Sequence, residues 1–375
     1  MIGAGRRVAV GLSGGVDSSV AAARLREAGA EVVGITLRLR PDGPALPGRG
    51  ATDIEAARAA AERLGIPHHV VDARDEFDRR VLRPAWEEYD RGRTPNPCLV
   101  CNRSVKFDVL GRAAAALGAE ALATGHYARI ERSTGGRLVL RRGRDRRKDQ
   151  SYFLAGLSDE QLARAILPLG ELTKDEVRAR ARALGLPGAD RPGSRDACFG
   201  TLGGSFAEAL RVRFGGVARP GRLLDAAGHE LGRHAGLHRL TVGQRQGLGL
   251  ARGARAYVLA LDAATGDVTV GTWNELLCDG VDATLVRWHE RPTTWPARFE
   301  AQTRYRQPVV AAEATEAGGG RLAVRFAERV AGVAPGQAIV FYDGDRVAGC
   351  GWIEALHRSG GSDRVGPRGS LPRAP

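Results

Sequence analysis

Lysine is almost missing from this chain. Only Lys106, Lys148 and Lys174 are lysines among the 56 basic residues; the other 53 are arginine. Together with the abundant alanine and glycine, this reads as the bias of a GC-rich coding sequence. The formal net charge of +13 still favours a polyanionic partner such as nucleic acid, but more weakly than its size suggests. Long apolar runs are missing too: none approaches the roughly 18 residues of a membrane span. The charge in Met1–Arg7 is followed only by the short run Val8–Leu12, which enters glycine-rich sequence at once. That is not the pattern of a secretory leader, and the expected location is the cytoplasm. Five cysteines in 375 residues are too few for a disulfide scaffold, and only Cys98 and Cys101 are close in sequence; such a pair in a cytosolic chain suggests metal or redox chemistry.

What is present divides into two textures. The length exceeds one ordinary core, and 43% hydrophobic content is enough for two or three packed domains. Up to about residue 130 strand-like and helix-like segments alternate: a strand at Arg7–Leu12, a helix at Val16–Ala28, a β-branched strand at Glu31–Leu37, a helix opened by a Thr52/Glu55 capping box, strands at His68–Val71 and Glu120–Thr124, and a helix at Arg103–Leu117. This alternation predicts a parallel sheet covered on both faces, with ligands at the carboxyl ends of its strands. Residues 40–51 and 187–204 read as Pro/Gly-rich loops, and the two prolines within 92–102 predict irregular structure there. Asp159–Leu184 reads as helix broken at Pro168–Gly170. Beyond about residue 215, short β-rich runs separated by turns at Asp262–Asp267, Glu316–Gly320 and Asp343–Asp345 predict hairpins and a small barrel. The expected domains are a catalytic domain at 1–204, a small central domain at 205–280, a C-terminal antiparallel β-barrel at 281–357 and a disordered tail at 358–375.

Two features carry chemistry. Gly11-Leu12-Ser13-Gly14-Gly15-Val16-Asp17-Ser18 follows a strand and precedes a helix, a context that presents backbone N–H groups and a helix N-terminus to an anion. It lacks the lysine of a Walker loop and the spacing of a dinucleotide fingerprint. Ser13 and Ser18 can donate to phosphate oxygens, whereas Asp17 would repel phosphate and is read as a Mg²⁺ ligand. The second feature is the thiols. Cys98 and Cys101 are flanked by Arg93, Arg103 and Lys106, and Cys198 by Arg191 and Arg195; cations lower a thiol pKa and favour the nucleophilic thiolate. A zinc site would need a second pair, which is lacking. A thiol relay is the preferred reading. An iron–sulfur cluster on Cys98, Cys101 and Cys198 is one alternative, and purely structural cysteines are another. Cys278 and Cys350, in apolar surroundings, read as core residues.

The SGGVDS string resembles the PP-loop ATP pyrophosphatases, which adenylate an oxygen atom. The resemblance becomes specific with TPNPCLVCNRSVKF at 94–107, GHYARI at 125–130, KDQSYFL at 148–154, CFG at 198–200, TVGQRQGLGL at 241–250, TRYRQ at 303–307 and PGQAIVFYDGDRVAGCGWI at 335–353. In this order they resemble the tRNA-specific 2-thiouridylases (the MnmA family) over roughly residues 6–355. The resemblance implies a PP-loop (adenine nucleotide alpha hydrolase-like) α/β domain followed by a small central domain and a β-barrel. It implies ATP bound by Gly11 to Ser18, Leu37 and Gly125, with the 2-oxygen of the wobble uridine in tRNAs for Glu, Gln and Lys adenylated. Cys101 then matches the nucleophile and Cys198 the persulfide carrier, charged by a sulfur-donor protein. A transient Cys101–Cys198 disulfide follows. Asn96, Pro97 and Cys98 match target-base positions, and His126, Lys148, Asp149, Gln150, Arg304, Tyr305 and Gln337 match tRNA contacts.

The sequence departs from the family where Cys98 replaces the Asp of some members, where Leu37 replaces a common Met, around Cys198 (Asp196-Ala197 before it and Gly-Thr-Leu-Gly-Gly after Phe199), and at Cys350, a glycine position in the family. Plainer readings stay open for three features: His126 as a structural histidine, Tyr305 as barrel core, and the six basic residues in 141–148 as a solvated hairpin. The competing functions are another PP-loop synthetase, which needs neither Cys101 nor Cys198, a tRNA-binding protein without ATP chemistry, and a cluster-dependent thiolase.

Overall fold

The computed structural model describes residues 5–40, 53–189, 205–250 and 256–359. The loop at 41–51, the Thr52 cap, Cys198 with its flanking Arg191 and Arg195, and the tail beyond Ser359 lie outside the described residues. Two compact units emerge, one of residues 1–83, 97–206 and 343–347, the other of 84–96, 207–342 and 348–375.

Among its described residues the first unit holds the strands β1 (Arg7–Gly11), β2 (Glu31–Arg38), β3 (His68–Asp72), β4 (Ala121–Ala123), β5 (Ala128–Arg132), β6 (Leu138–Arg142) and β7 (Ala165–Ile166). Five of them form a parallel sheet in the order β3-β2-β1-β4-β7. The chain runs from β1 outward through β2 and β3, then returns to β4 on the other side of β1. The carboxyl ends of β1 and β4 therefore border the crevice in which ligands of open α/β sheets bind. β1 can be a central strand because Val8, Ala9 and Val10 are all fully buried. Helix α1 (Val16–Glu27) packs on the sheet with Val20, Ala21, Ala22, Ala23 and Leu25 buried; its small residues allow the close approach. Its buried hydroxyls are satisfied, since Ser18 and Ser19 both donate to the Gly15 carbonyl at 3.0 and 3.1 Å. Helix α2 (Asp53–Leu64) buries Ala57, Ala60, Ala61 and Leu64. That is the face its apolar spacing predicts, with Ala60 in place of Ile54. β5 and β6 form an antiparallel hairpin.

Three expectations need correction. The proline-rich segment is irregular only as far as Asn96: Pro97–Cys101 is an α-helical turn that continues as a π-helical turn at Asn102–Lys106. Pro97 occupies the first helical position, where its missing N–H has no intrahelical partner to lose. Helix then resumes at Val109–Ala116, so Arg103–Leu117 is not one continuous helix. The 159–184 segment is Asp159–Arg164 and Lys174–Ala183 helix with β7 between them. That two-residue strand was hidden because Ala165 and Ile166 add to the sheet edge only once β4 is there to pair with.

In the second unit β8 (Gly221–Leu224), β9 (Glu230–His234), β10 (Tyr257–Leu261) and β11 (Val268–Gly271) form a sheet in the order β10-β11-β8-β9. It packs around Leu223, Leu237, Val258 and Val268. β12 (Cys278–Trp288), β13 (Ala297–Gln302), β14 (Val310–Gly318), β15 (Arg321–Val330), β16 (Ala338–Asp343) and β17 (Arg346–His357) follow in the order β12-β15-β14-β13-β16-β17. Pairing of β12 with β17 closes them into a six-stranded antiparallel barrel, which removes free sheet edges. The β14–β15 turn carries Gly318, Gly319 and Gly320 at φ of +78°, +58° and +72°, a run of left-handed residues that side chains disfavour. Cys278 and Cys350 are buried in this unit as core residues. Arg358 is ordered structure and not tail, its guanidinium donating to the Leu259 carbonyl at 3.0 Å.

The barrel core is aromatic. Phe341 is fully buried, with ring centroids 5.4 Å from Trp288 and 5.5 Å from Phe299. Phe341→Ala is expected to lower the urea midpoint of the barrel transition by the equivalent of about 3–5 kcal/mol, through lost transfer energy and the cavity left behind. A fall under about 1 kcal/mol would mean the barrel does not depend on this cluster.

Candidate active site

The glycine loop leaves β1 at Gly11 and enters α1. The Leu12 amide donates to the Ile35 carbonyl at 2.8 Å, holding the loop to the end of β2. The Ser18 hydroxyl lies 3.3 Å from that of Ser13 and accepts the Ser13 amide at 3.2 Å. The loop is thus closed by its own serines. Gly14 sits at φ +71°. Gly125, just past β4, lies against the first turn of α1: a Cβ there would stand 2.7 Å from both the Asp17 carbonyl carbon and the Ser18 nitrogen. Only glycine lets the β4 loop come so close. The structure therefore brings Gly125 to Gly11–Ser18, as expected, and places half-buried Leu37 near the carboxyl end of the adjacent β2.

Asp17 stands in the first turn of α1, where a negative charge is favoured by the helix dipole. One of its oxygens, Oδ1, accepts two hydrogen bonds, from Lys174 Nζ at 2.6 Å and from the Tyr127 hydroxyl at 2.7 Å. The Lys174 side chain is 11% exposed and that of Asp17 36%. Burial first, then the Asp17 charge, pushes the Tyr127 phenol well above its ordinary range and keeps it a donor. Neither Tyr127 nor Lys174 was singled out from the sequence as a site residue. Tyr127 lay within the GHYARI motif, and Lys174 carried a signal of its own, as one of three lysines in an arginine-dominated chain. The remaining carboxylate oxygen of Asp17 fits a magnesium ion of the kind held by one carboxylate plus phosphate oxygens and water.

The thiols stand on the same first unit. Cys98 and Cys101 are three residues apart on the Pro97–Cys101 helix, Cys98 half-buried and Cys101 buried, so both project from one side of the turn. The following π-helical turn is pinned by Arg80, which donates to the Ser104 carbonyl at 3.0 Å and pairs with Asp108. The neighbouring Asn102 amide donates to the Phe153 carbonyl at 3.3 Å. Arg93, expected near the thiols as a cation, is instead committed to Glu88 and Glu354, each at 2.7 Å. Cys198 lies outside the described residues. Among the described residues no group of three or more His, Cys, Asp or Glu side chains is arranged to hold a metal ion. No helix among them is long and apolar enough to cross a membrane.

The other expected contact positions fall into two kinds. Lys148 and Gln150 are half-buried in the segment after β6, and Asp149 turns inward to accept the amides of Gly143 and Ser151 at 2.9 and 3.0 Å. Arg304 and Tyr305 are half-buried in the turn after β13, which rules out Tyr305 as barrel core. His126 and Gln337, by contrast, are buried. Gln337 donates to the Thr94 and Pro95 carbonyls at 3.1 and 2.8 Å, supporting the backbone that leads into Asn96. His126 Nδ1 lies 2.8 Å from the Thr124 hydroxyl.

The parallel sheet, the closed glycine loop at its switch point and the carboxylate in the first helical turn define a PP-loop nucleotide-binding domain, a fold of the ATP-using kind. Three family models match in succession: "tRNA methyl transferase HUP domain" over 6–201, "tRNA methyl transferase PRC-barrel domain" over 213–272 and "Aminomethyltransferase beta-barrel domain" over 278–353. The chain is 46% identical over 363 residues to the tRNA-specific 2-thiouridylase MnmA of Geobacter metallireducens, covering 95% of this chain and 98% of that one. It is 46% identical over 348 residues to that of Syntrophotalea carbinolica (93% and 98% covered) and 45% over 370 residues to that of Sorangium cellulosum (95% and 94%). It belongs to the tRNA-specific 2-thiouridylase family.

Burial, and next the Lys106 charge, pushes the His126 pKa down to about 3 from an ordinary 6.5. A neutral imidazole is therefore part of the folded state. Its stabilisation is complete above pH 6.5 and is lost as pH falls from there toward 3, because only the unfolded chain takes up the proton. The stability gap between wild type and His126→Asn, from urea midpoints, is expected to shrink steadily from pH 7 to pH 4. A pH-independent gap would show that His126 titrates normally.

Proposed function

We propose that this enzyme converts the wobble uridine of tRNAs for Glu, Gln and Lys to 2-thiouridine, consuming ATP and sulfur supplied as a persulfide by a donor protein. The observation that carries the reading is family membership along nearly the whole chain, joined to a first unit that holds both the Gly11–Ser18 loop and the Cys101 helix.

The chemistry follows from the leaving group. A uridine carbonyl oxygen is not displaced by sulfur unaided. The loop amides and the Ser13 and Ser18 hydroxyls hold the ATP phosphates, Leu37 and Gly125 border the nucleotide, and Asp17 would hold a magnesium ion that would offset phosphate charge. The uridine O2 attacks the α-phosphorus, pyrophosphate leaves, and O2 becomes the bridging oxygen of an adenylate. The terminal sulfur of a Cys198 persulfide adds to C2 and AMP departs. The Cys101 thiolate attacks Cys198 Sγ, the persulfide S–S bond breaks, and the sulfur stays on C2. The resulting Cys101–Cys198 disulfide is reset by a thiol reductant. Splitting one hard substitution into easier steps is covalent catalysis. Asn96, Pro97 and Cys98 receive the target base. Lys148, Gln150, Arg304 and Tyr305 contact tRNA, where cations on phosphate position without specifying sequence. By the same resemblance His126, Asp149 and Gln337 belong with the tRNA-contact residues.

The test uses aerobically purified, iron-free protein with ATP, Mg²⁺, a persulfide donor and unmodified tRNA-Glu, with 2-thiouridine read by mass spectrometry. Product from wild type and none from Cys101→Ser or Cys198→Ser is expected. Product only after iron–sulfur reconstitution would replace the relay with a cluster on Cys98, Cys101 and Cys198. ATP cleaved to AMP without thiolated product in either condition would remove the thiolation claim.

A further inference from the structure

The basic segment after β6 is tied to the Asp17 carboxylate by two separate arms. Lys174 and Tyr127 both donate to Asp17 Oδ1. Each is anchored through its backbone by a residue of the same short stretch. The Lys174 amide donates to Asp145 Oδ2 at 3.0 Å, and Asp145 Oδ1 accepts the Arg147 amide at 3.1 Å. The Tyr127 amide donates to Gln150 Oε1 at 3.0 Å, and its carbonyl accepts the Gln150 amide at 2.8 Å. Asp145 is itself buried, so its hydrogen bonds are costly to leave unmade. Between the two anchors Arg146 and Arg147 are exposed, the Arg147 side chain at 86%, and the half-buried Lys148 follows them.

We propose that this two-armed clamp couples tRNA binding to nucleotide binding, with Lys174 and Tyr127 as positioning residues for Asp17. A phosphate drawn onto Arg147 and Lys148 orders the 145–150 stretch. Asp145 and Gln150 pass that order to the two side chains that fix Asp17 Oδ1, and so to the loop at 11–18. The residue types suit the task. A lysine ammonium is a compact charge with three rotatable donors, able to turn from a carboxylate to an incoming phosphate, whereas an arginine fork locks onto one planar partner. Lysine is retained at 174 in a chain that uses arginine at 53 of its 56 basic positions. The inference rests on the reading that 11–18 binds ATP and that the 145–150 stretch faces tRNA.

Coupling between two ligands is reciprocal, so it can be measured from both sides. The Kd of a fluorescent, non-hydrolysable ATP analogue is determined with and without unmodified tRNA-Glu, and the Kd of the tRNA with and without the analogue. In wild type each ligand is expected to tighten the other by one common factor, about 5-fold or more. Tyr127→Phe, which removes a single oxygen, is expected to bring that factor close to one while the thermal midpoint changes little. Lys174→Gln should do the same. Two ligands that bind wild type independently while 2-thiouridine is still made would overturn the clamp and leave the proposed function standing. A coupling factor unchanged in both variants would also overturn it. Failure of wild type to bind either ligand would overturn the proposed function, and the clamp with it.

Discussion

Asp17 Oδ1, with an ammonium on one side and a phenol on the other, is the point on which the first unit converges. Its position requires β1 and β4 to be neighbours, because Tyr127 follows β4 and Asp17 follows β1. It requires a glycine at 125, since any side chain there would push the β4 loop off α1. It also requires the Lys174–Ala183 helix to begin where it does. The Thr173 capping box sets that start, with the hydroxyl and the Glu176 carboxylate each satisfying the other's amide. A carboxylate so held is aimed in advance, the kind of preorganisation that phosphoryl and nucleotidyl chemistry depends on.

In the second unit a packed core lies beside a half-buried turn. The aromatic cluster of Trp288, Phe299 and Phe341 packs in the barrel core, and the TRYRQ turn is held by its own hydrogen bonds. Thr303 donates to the Gln307 side chain at 2.8 Å, and Gln307 in turn donates to the Ala331 carbonyl at 2.8 Å. Within this turn Arg306 adopts φ +67°, the left-handed region, as the one non-glycine residue to do so among those described. Backbone strain of about 1–2 kcal/mol is kept where surrounding bonds over-determine it.

Much of this was legible in the residues themselves. Strand–glycine loop–helix order at 7–27 is a local pattern, and β-branched runs and alanine-rich faces declare their burial without knowledge of their partners. The glycine loop was legible as a strand-to-helix junction because local backbone geometry alone decides it. The ordered set of motifs was likewise enough to indicate the family. The reading failed where local rules were outweighed. Prolines at 95 and 97 signalled irregular chain, yet Pro97 sits where a helix tolerates it. Ala165 and Ile166 looked helical until a neighbouring strand supplied hydrogen-bond partners.

What the sequence determined by itself was therefore the α/β class, the strand–glycine loop–helix junction and the family. Those depend on residue types and short spacings. Tertiary structure alone decided that Lys174, 157 residues from Asp17, supplies its counter-charge. It also decided that Gln337 and His126 face inward and that Arg93 is consumed by two glutamates. Such pairings are set by which loops the sheet order brings together, and a charge has no sequence signature for the partner it will meet.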